Sequence, residues 1–450
     1  MQTIYLDDVL TRLRAALEQD DFGGAAAIIE RLRPVDQADL FAELDEDDQV
    51  SLFSQLDPAS SADILEELED DDAADLMLAL PTGAAARIVA QMEPDEVADM
   101  FAEMEPEQVQ TFLSQLEDPD EIRPLLLHPE DSAAGLMTVW MLALRRRMTI
   151  AQALQTIREW QPEDKEIIQQ LFVVDKEGKL CGVLSLFSLI TSDPNKFVMD
   201  VMNPEVISVL AGTDQEECAR IMSRYDLLLL PVVDEWGVLL GTITIDDVVD
   251  VLEDEATEDI QRLGATSPLD HAYLNTGVGE IARKRIGWLL MLFLTGTLTG
   301  TVMRVFETEL AAAVSLSLFI PLLIGTGGNA GSQSTSTIIR ALAVGDLEKR
   351  DFLRALWHEL RAGLILGVVM AAVAYLRAIT WATGSALALT VSLAVFSIVV
   401  WANSLGALLP IAAAKLGIDP TVVSGPAMST LVDATGLFIY FSIARWILGL

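Results

Sequence analysis

The chain has 450 residues, enough for about three domains, and a formal net charge of −39. The charge is unevenly spread: residues 1–131 carry 35 acids against 6 bases, residues 132–270 carry 24 against 11, and residues 271–450 carry 9 against 12. An acidic front part excludes a nucleic-acid partner, and two isolated cysteines, Cys181 and Cys218, exclude a disulfide framework or a cysteine zinc site.

The first residues have no basic n-region and no apolar core, so they do not read as a signal peptide. Ile4, Leu6, Val9, Leu10, Leu13 and Leu17 instead have the spacing of an amphipathic helix. A repeat follows. Leu44, Leu56, Leu68, Leu80, Met92, Met104 and Leu116 recur every 12 residues, each preceded at four and three positions by further apolar residues such as Leu40 and Phe41, or Met100 and Phe101. That stripe marks one helical face, and the Asp, Glu or Pro after it ends one helix and caps the next. Each unit is therefore expected to be one helix of about nine residues that buries its face only by stacking into an α-solenoid over residues 1–131. The acids fall on open faces and turns, where they serve either solubility or cation binding.

Residues 132–252 read as two copies of one α/β unit. The first has a helix near 151–160 and strands at 171–174 and 183–185. The second has a helix at 215–223 and strands at 228–233 and 241–245. The strands are short, apolar and bounded by turn residues. Gly182 matches Gly241, and the first copy carries about six extra residues near 161–166. The pattern resembles a tandem pair of cystathionine-β-synthase (CBS) domains, placed at 132–195 and 196–252. That resemblance implies a regulatory module, often one that binds adenine nucleotides. Gly241, Thr244 and Asp247 match its ribose and phosphate motif, whereas the first copy has Gly182, Ser185 and Ser188 and lacks the acid.

Residues 246–263 have helical apolar spacing at Val248, Val251, Leu252 and Ile260, with seven acids on the other face. The segment, taken to 270, is either a solvated linker or a cation-binding connecting helix.

Residues 271–450 are membrane-like. Apolar runs place spans at about 286–305, 310–340, 358–379, 387–413 and 425–446. With the acidic block inside, nine basic residues flank the inner ends and three the outer ends, which satisfies the positive-inside rule and leaves the C-terminus outside. The second span holds Gly-Thr-Gly-Gly-Asn-Ala-Gly-Ser-Gln-Ser at 325–334, too polar to face lipid. It reads as pore lining that offers carbonyls, Asn329 and Gln333 to an ion, or as a close helix crossing. The fifth span holds Asp433, expected to be the only acid inside the apolar block and about 12 Å deep if the helix starts near Gly425. A carboxylate there costs at least ~2.5 kcal/mol and is tolerable only in a protein interior or a wet cavity. It marks an ion or proton path, or a structural bond such as a salt bridge to Arg340. Oxygen-only surroundings suit Mg²⁺, Ca²⁺ or Mn²⁺, and two such carboxylates on a dimer axis suit an ion that keeps its waters.

Over nearly its whole length the chain resembles the MgtE family of Mg²⁺ channels/transporters. The 12-residue repeats, the CBS pair, the acidic helix, the 325–334 segment and the P-x-x-x-T-x-x-D-x-x-G element carrying Pro426, Thr430, Asp433 and Gly436 carry the resemblance. It implies an all-α solenoid, an α/β CBS pair and an α-helical five-span domain, assembled as a homodimer in the bacterial inner membrane with the N-terminal domains cytosolic. It implies a Mg²⁺ pore with Asp433, Asn329, Gly328, Ser429 and Gly436 along it and Asp419 at the cytosolic mouth. Gly425 stands where some members have a side-chain amide. It further implies regulatory Mg²⁺ held by Asp95, Asp99, Asp214, Glu216, Asp226, Asp247, Asp250, Glu255, Glu258 and Asp259, which shuts the pore, and ATP at Gly241, Thr244 and Asp247. A proton- or sodium-coupled transporter of divalent cations is the alternative. No nucleophile–base pair, P-loop or metalloenzyme motif points to catalysis.

Overall fold

The structure is a computed structural model that describes residues 2–116, 119–160, 170–269, 273, 276–347, 349–423 and 425–450. The chain divides into two units, Met1–Leu252 and Glu253–Leu450.

The first unit opens with α1 (Gln2–Leu17) and α2 (Phe22–Ile29), then short helices at the expected period: α3 (Pro34–Ala42), α4 (Glu46–Phe53), α5 (Pro58–Leu65), α6 (Asp70–Ala79), α7 (Thr82–Val89), α8 (Pro94–Ala102) and α9 (Pro106–Leu113). Proline begins α3, α5, α8 and α9, where its missing N–H costs nothing. The Asp57 side chain accepts from the backbone of Ala59 and Ser60 and caps α5. Odd helices stack on odd and even on even, α3 on α5 on α7 and α4 on α6 on α8. The stripe residues Leu52, Ile64, Met77, Met100 and Phe101 are 1 % exposed or less, so the 12-residue period is the core of a two-layered solenoid.

The CBS pair follows. Its first sheet joins β1 (Ala143–Arg145), β2 (Gln170–Val174) and β3 (Leu180–Ser185), with α10 (Ile150–Glu159) and α11 (Leu186–Thr191). The second joins β4 (Val209–Leu210), β5 (Leu229–Val233) and β6 (Leu239–Thr244), with α12 (Gln215–Tyr225) and α13 (Ile245–Leu263). Both sheets repeat one topology, a parallel pair and then an antiparallel pair with a register shift at the same place. The lead-in to each copy pairs with the sheet of the other: Thr138 bridges Thr242, and Asn203 bridges Val183. The extra segment expected at 161–166 lies outside the described residues. The first sheet has its own core around Leu144, Val173 and Leu189, whereas the second shares the solenoid's core through Met137, Cys218 and Val248.

Among the described residues of the second unit, five helices are long and apolar enough to cross a membrane: α14 (Val278–Val305), α16 (Ile320–Ala343), α17 (Phe352–Thr380), α18 (Ser385–Leu416) and α19 (Gly425–Leu448). A short α15 (Glu307–Ala312) precedes α16. α18 is the hub, packed on α16, α17 and α19 and buried along much of its length, while α14 touches α19 and has no buried residue. Around residue 309 the unit is tied by an ion pair between buried Glu309 and exposed Arg445. Arg445 donates through Nε to Glu309 at 2.7 Å, Thr308 donates to the same carboxylate at 2.7 Å, and the guanidinium lies over the Phe306 ring.

Candidate functional site

Glycine brings α16 and α19 together. A Cβ at Gly327 would lie 2.8 Å from Val432, one at Gly331 would lie 3.0 Å from Met428, and one at Gly328 would lie 3.1 Å from Ser429 Oγ. Ser332 Oγ donates to the Gly425 carbonyl at 3.2 Å and lies 3.3 Å from Ser429 Oγ. Other polar residues of α16 are turned the other way. Asn329, Gln333, Ser336, Thr337 and Arg340 are exposed at helical spacing, a polar stripe on the surface of an apolar bundle. The segment at 325–334 is helical throughout, which corrects the expectation of free carbonyls: they are committed to the helix ladder, and its side chains are what face outward.

On α19, Asp433 sits one turn beyond Ser429 and is half-buried. Its Oδ1 is buried and has no hydrogen-bond partner. Among the described residues no cation pairs with it, so the salt bridge to Arg340 weighed from the sequence does not form. Thr430 donates to its own helix at 2.9 Å, and Thr435 accepts from Trp401 Nε1 at 3.0 Å, which locks α19 to α18. Gly436 is buried against Ile398 of α18, away from the open face. The expectation that Asp433 is the sole acid in the apolar block is corrected at Glu359. The third span placed at 358–379 already contains it, and in α17, which begins at Phe352, Glu359 is the eighth residue.

Asp419 caps the short turn before α19 and accepts from Thr421 N at 2.8 Å. Arg262 of α13 bridges Glu258 and Asp419. Burial, then the charges of Asp419, Glu255 and Glu258, raise the Asp259 carboxyl above its ordinary range. Glu255, Glu258, Asp259 and Asp419 thus form one acidic group with Arg262 inside it.

A second acidic group lies in the first unit. Asp95 is 5 % exposed, and its Oδ1 has no hydrogen-bond partner. Burial, then Asp247 and Glu93, push its carboxyl well above the ordinary range. Glu96 is pushed up to about 10 by burial and by Asp95, and Asp99 to about 8 by burial and by Asp70. Asp247 is raised mainly by burial, and its Oδ2 accepts from Thr244 Oγ1 at 2.5 Å. An orphaned carboxylate oxygen among like charges fits a cation, which would relieve the repulsion. Glu96, Asp70 and Glu93 were missed from the sequence; only Glu96 shares α8 with Asp95 and Asp99, while Asp70 begins α6 and Glu93 caps α8. Nearby, Glu69, Asp71 and Asp72 place carboxylate oxygens within 4.8 Å of one another.

Asp214 and Asp226 are not gathered with these acids. Asp214 caps the start of α12 and accepts from Glu216 N at 3.0 Å, while Asp226 caps its other end with a left-handed φ of 51°. They lie about 18 Å apart along the helix. Asp250 is exposed on α13. Gly241 has no space above it, since a Cβ would lie 2.6 Å from the Thr138 carbonyl. The glycine lets the lead-in at Thr138 approach, and Thr244 N and Oγ1 both donate to Asp247 Oδ2.

Comparison with known proteins fits this layout. Residues 320–443 match the MgtE family model, described as a divalent cation transporter, residues 32–131 match the MgtE intracellular N domain, and 141–194 and 198–254 match CBS domains. The chain is 44 % identical over 339 residues to the magnesium transporter MgtE of Thermus thermophilus, covering 75 % of each chain. The chain belongs to the MgtE family. The MgtE proteins of Enterococcus faecalis and Bacillus subtilis are 35 % and 34 % identical over 73 % and 74 % of this chain, and 72 % and 73 % of their own. Among solved structures, the cytosolic domain of the Mg²⁺ channel MgtE in complex with ATP is similar, with TM-score 0.51 and 36 % identity over 54 % of this chain and 99 % of that one. The soluble part of a magnesium transporter also scores 0.51, at 30 % identity over 56 % and 99 %.

Proposed function

We propose that this MgtE-family chain passes Mg²⁺ into the cell as a homodimer, along a path lined by α16 and α19. The observation that carries the reading is the Asp433 oxygen, buried and unpartnered, beside a polar stripe that a membrane-embedded monomer would show to lipid. A second copy across that face would cover the stripe and bring two carboxylates to one ion. One carboxylate per chain cannot replace the water around Mg²⁺, so the ion would pass with most of its waters, held by charge and by hydrogen bonds to Asn329 and Ser429.

The two acidic groups supply regulation. Cytosolic Mg²⁺ at Asp95, Asp99 and Asp247, and at Glu255, Glu258, Asp259 and Asp419, would offset the repulsion within each group and favour the shut pore. When Mg²⁺ falls, the charges repel and the helices that carry them separate. The likeness to a cytosolic domain solved with ATP supports a nucleotide at the CBS pair.

The test is Mg²⁺ flux into vesicles. Asp433→Ala is expected to lose at least ~90 % of the flux, the effect of removing one charged contact. Flux at the unmutated rate would sink the path. The same carboxylate supports a second reading, coupling to protons. Uptake driven by a pH gradient at zero membrane potential would favour that reading over a channel.

A further inference from the structure

The transport reading gives the second intramembrane acid, Glu359, no task. Glu359 Oε2 lies 2.8 Å from Ser334 Oγ of α16, and Ser334 is 4 % exposed. The same hydroxyl lies 3.1 Å from the Asn403 carbonyl of α18. Asn403 is itself 3 % exposed, and its Nδ2 donates to the Val399 carbonyl at 3.1 Å. Glycines close the junction. A Cβ at Gly406 would lie 2.7 Å from both Ser334 Cβ and the Gly331 carbonyl, and one at Gly363, a turn beyond Glu359, would lie 3.1 Å from Asn403. Three helices therefore meet at Ser334 without slack.

An apolar side chain would fill this junction without the cost of an acid in a span. The acid's effect falls on α16. Ser334 points inward, while Asn329 and Gln333 of the same helix lie on the open polar face. Asn329 and Gln333 lie four residues apart, about 40° round the helix, so any rotation of α16 would turn both side chains together. We propose that Glu359 is a positioning residue for ion passage: through Ser334 it fixes the rotation of α16, and so the direction in which Asn329 and Gln333 point. The proposal rests on the transport reading above.

The experiment measures Mg²⁺ and Ca²⁺ flux of the full chain in vesicles for Glu359→Leu, Glu359→Gln, Ser334→Ala and the double variant Glu359→Leu/Ser334→Ala, beside Asp433→Ala. Glu359→Leu is expected to lower Mg²⁺ flux by about tenfold, the loss of one strong hydrogen bond, and to narrow the preference for Mg²⁺ over Ca²⁺. Glu359→Gln offers an N–H to Ser334 Oγ while the serine donates to Asn403, so its flux stays within about twofold. Ser334→Ala falls as Glu359→Leu does, and the double variant falls no further. Helicity and elution volume establish that each variant is folded. If Glu359→Leu does not fold, the glutamine and serine variants decide. A folded leucine variant with unchanged flux and selectivity overturns the proposal. So does a folded glutamine variant as impaired as leucine, which would mean the charge itself acts on the ion, and so do independent losses in the double variant. Undiminished flux in Asp433→Ala would instead overturn the transport path, whatever the Glu359 variants do.

Discussion

Asp95, Glu96 and Asp99 crowd one end of α8 at a cost set by protonation. Glu96 and Asp99 are held near 10 and 8, far above the value of about 4 in an unfolded chain. The folded state therefore binds more protons than the unfolded one, and stability falls as pH rises. The contribution of these groups is whole below about pH 4 and is lost as pH rises through 8 and then 10. In chelator, the unfolding midpoint of the first unit is expected to be at least ~5 °C higher at pH 5 than at pH 8, where about 1 kcal/mol moves it 2–4 °C. Added Mg²⁺ should close the gap at pH 8, and Glu96→Gln with Asp99→Asn should flatten it. Calorimetry with no pH dependence in unmutated protein would mean the group is solvated and carries no strain. Of these acids, Asp95 and Asp99 were legible by resemblance alone. The isolated sequence favoured solubility over cation binding, because burial is a property of the stacked helices and not of the repeat.

The solenoid and the pore helices differ in how much their sequences reveal. A 12-residue period states its own packing, since each stripe has one face to bury, and Leu52, Met77 and Phe101 are buried where the stripe puts them. The 325–334 segment reads both as close packing and as a polar lining, and its residues divide between the two. Gly327, Gly328 and Gly331 are buried against α19, while Asn329 and Gln333 face out. Sequence spacing could not assign the faces because both sets have helical period. Glu359 lies inside the span placed at 358–379 but was passed over, since apolar counting weighs the long uncharged run and not a single acid near its end. The exchange of lead-ins between CBS sheets, with Met137 on Gly241 and Met202 on Gly182, was equally out of reach because it is a long-range pairing. At this scale, Gly406→Ala should force α18 away from α16 and destabilise the membrane unit by about 1–3 kcal/mol, as overpacking does. Gly300→Ala on α14, with nothing within 4 Å, should be neutral or slightly stabilising. Thermal unfolding in detergent compares them, and equal midpoints would mean the α16–α18 crossing can relax.

Across the whole molecule, charge is partitioned between an acidic front and a faintly basic membrane part, 59 acids against 17 bases before residue 271 and 9 against 12 after it. The division between the two units falls within α13, so one helix carries acids belonging to each: Asp247 and Asp250 on one side, Glu255 and Asp259 on the other. General screening would act on all of these carboxylates alike and would follow ionic strength, with a Debye length of about 8 Å under physiological salt. Bound Mg²⁺ would act at far lower concentration, because a divalent ion replaces several repulsions at once and is held by inner oxygens. The two accounts separate in one measurement. Mg²⁺ on the cytosolic side should suppress flux at concentrations where Na⁺ of equal ionic strength does not. The quadruple variant Asp247→Asn, Asp250→Asn, Glu255→Gln and Asp259→Asn should raise the half-inhibiting Mg²⁺ concentration by about tenfold or more, about 1.4 kcal/mol of lost coupling. Its flux in low Mg²⁺ should stay near that of the unmutated chain, since Asp433 and the polar stripe are untouched. If Na⁺ matches Mg²⁺, or if the variant is inhibited at the same concentration as the unmutated chain, the acidic groups do not sense the ion.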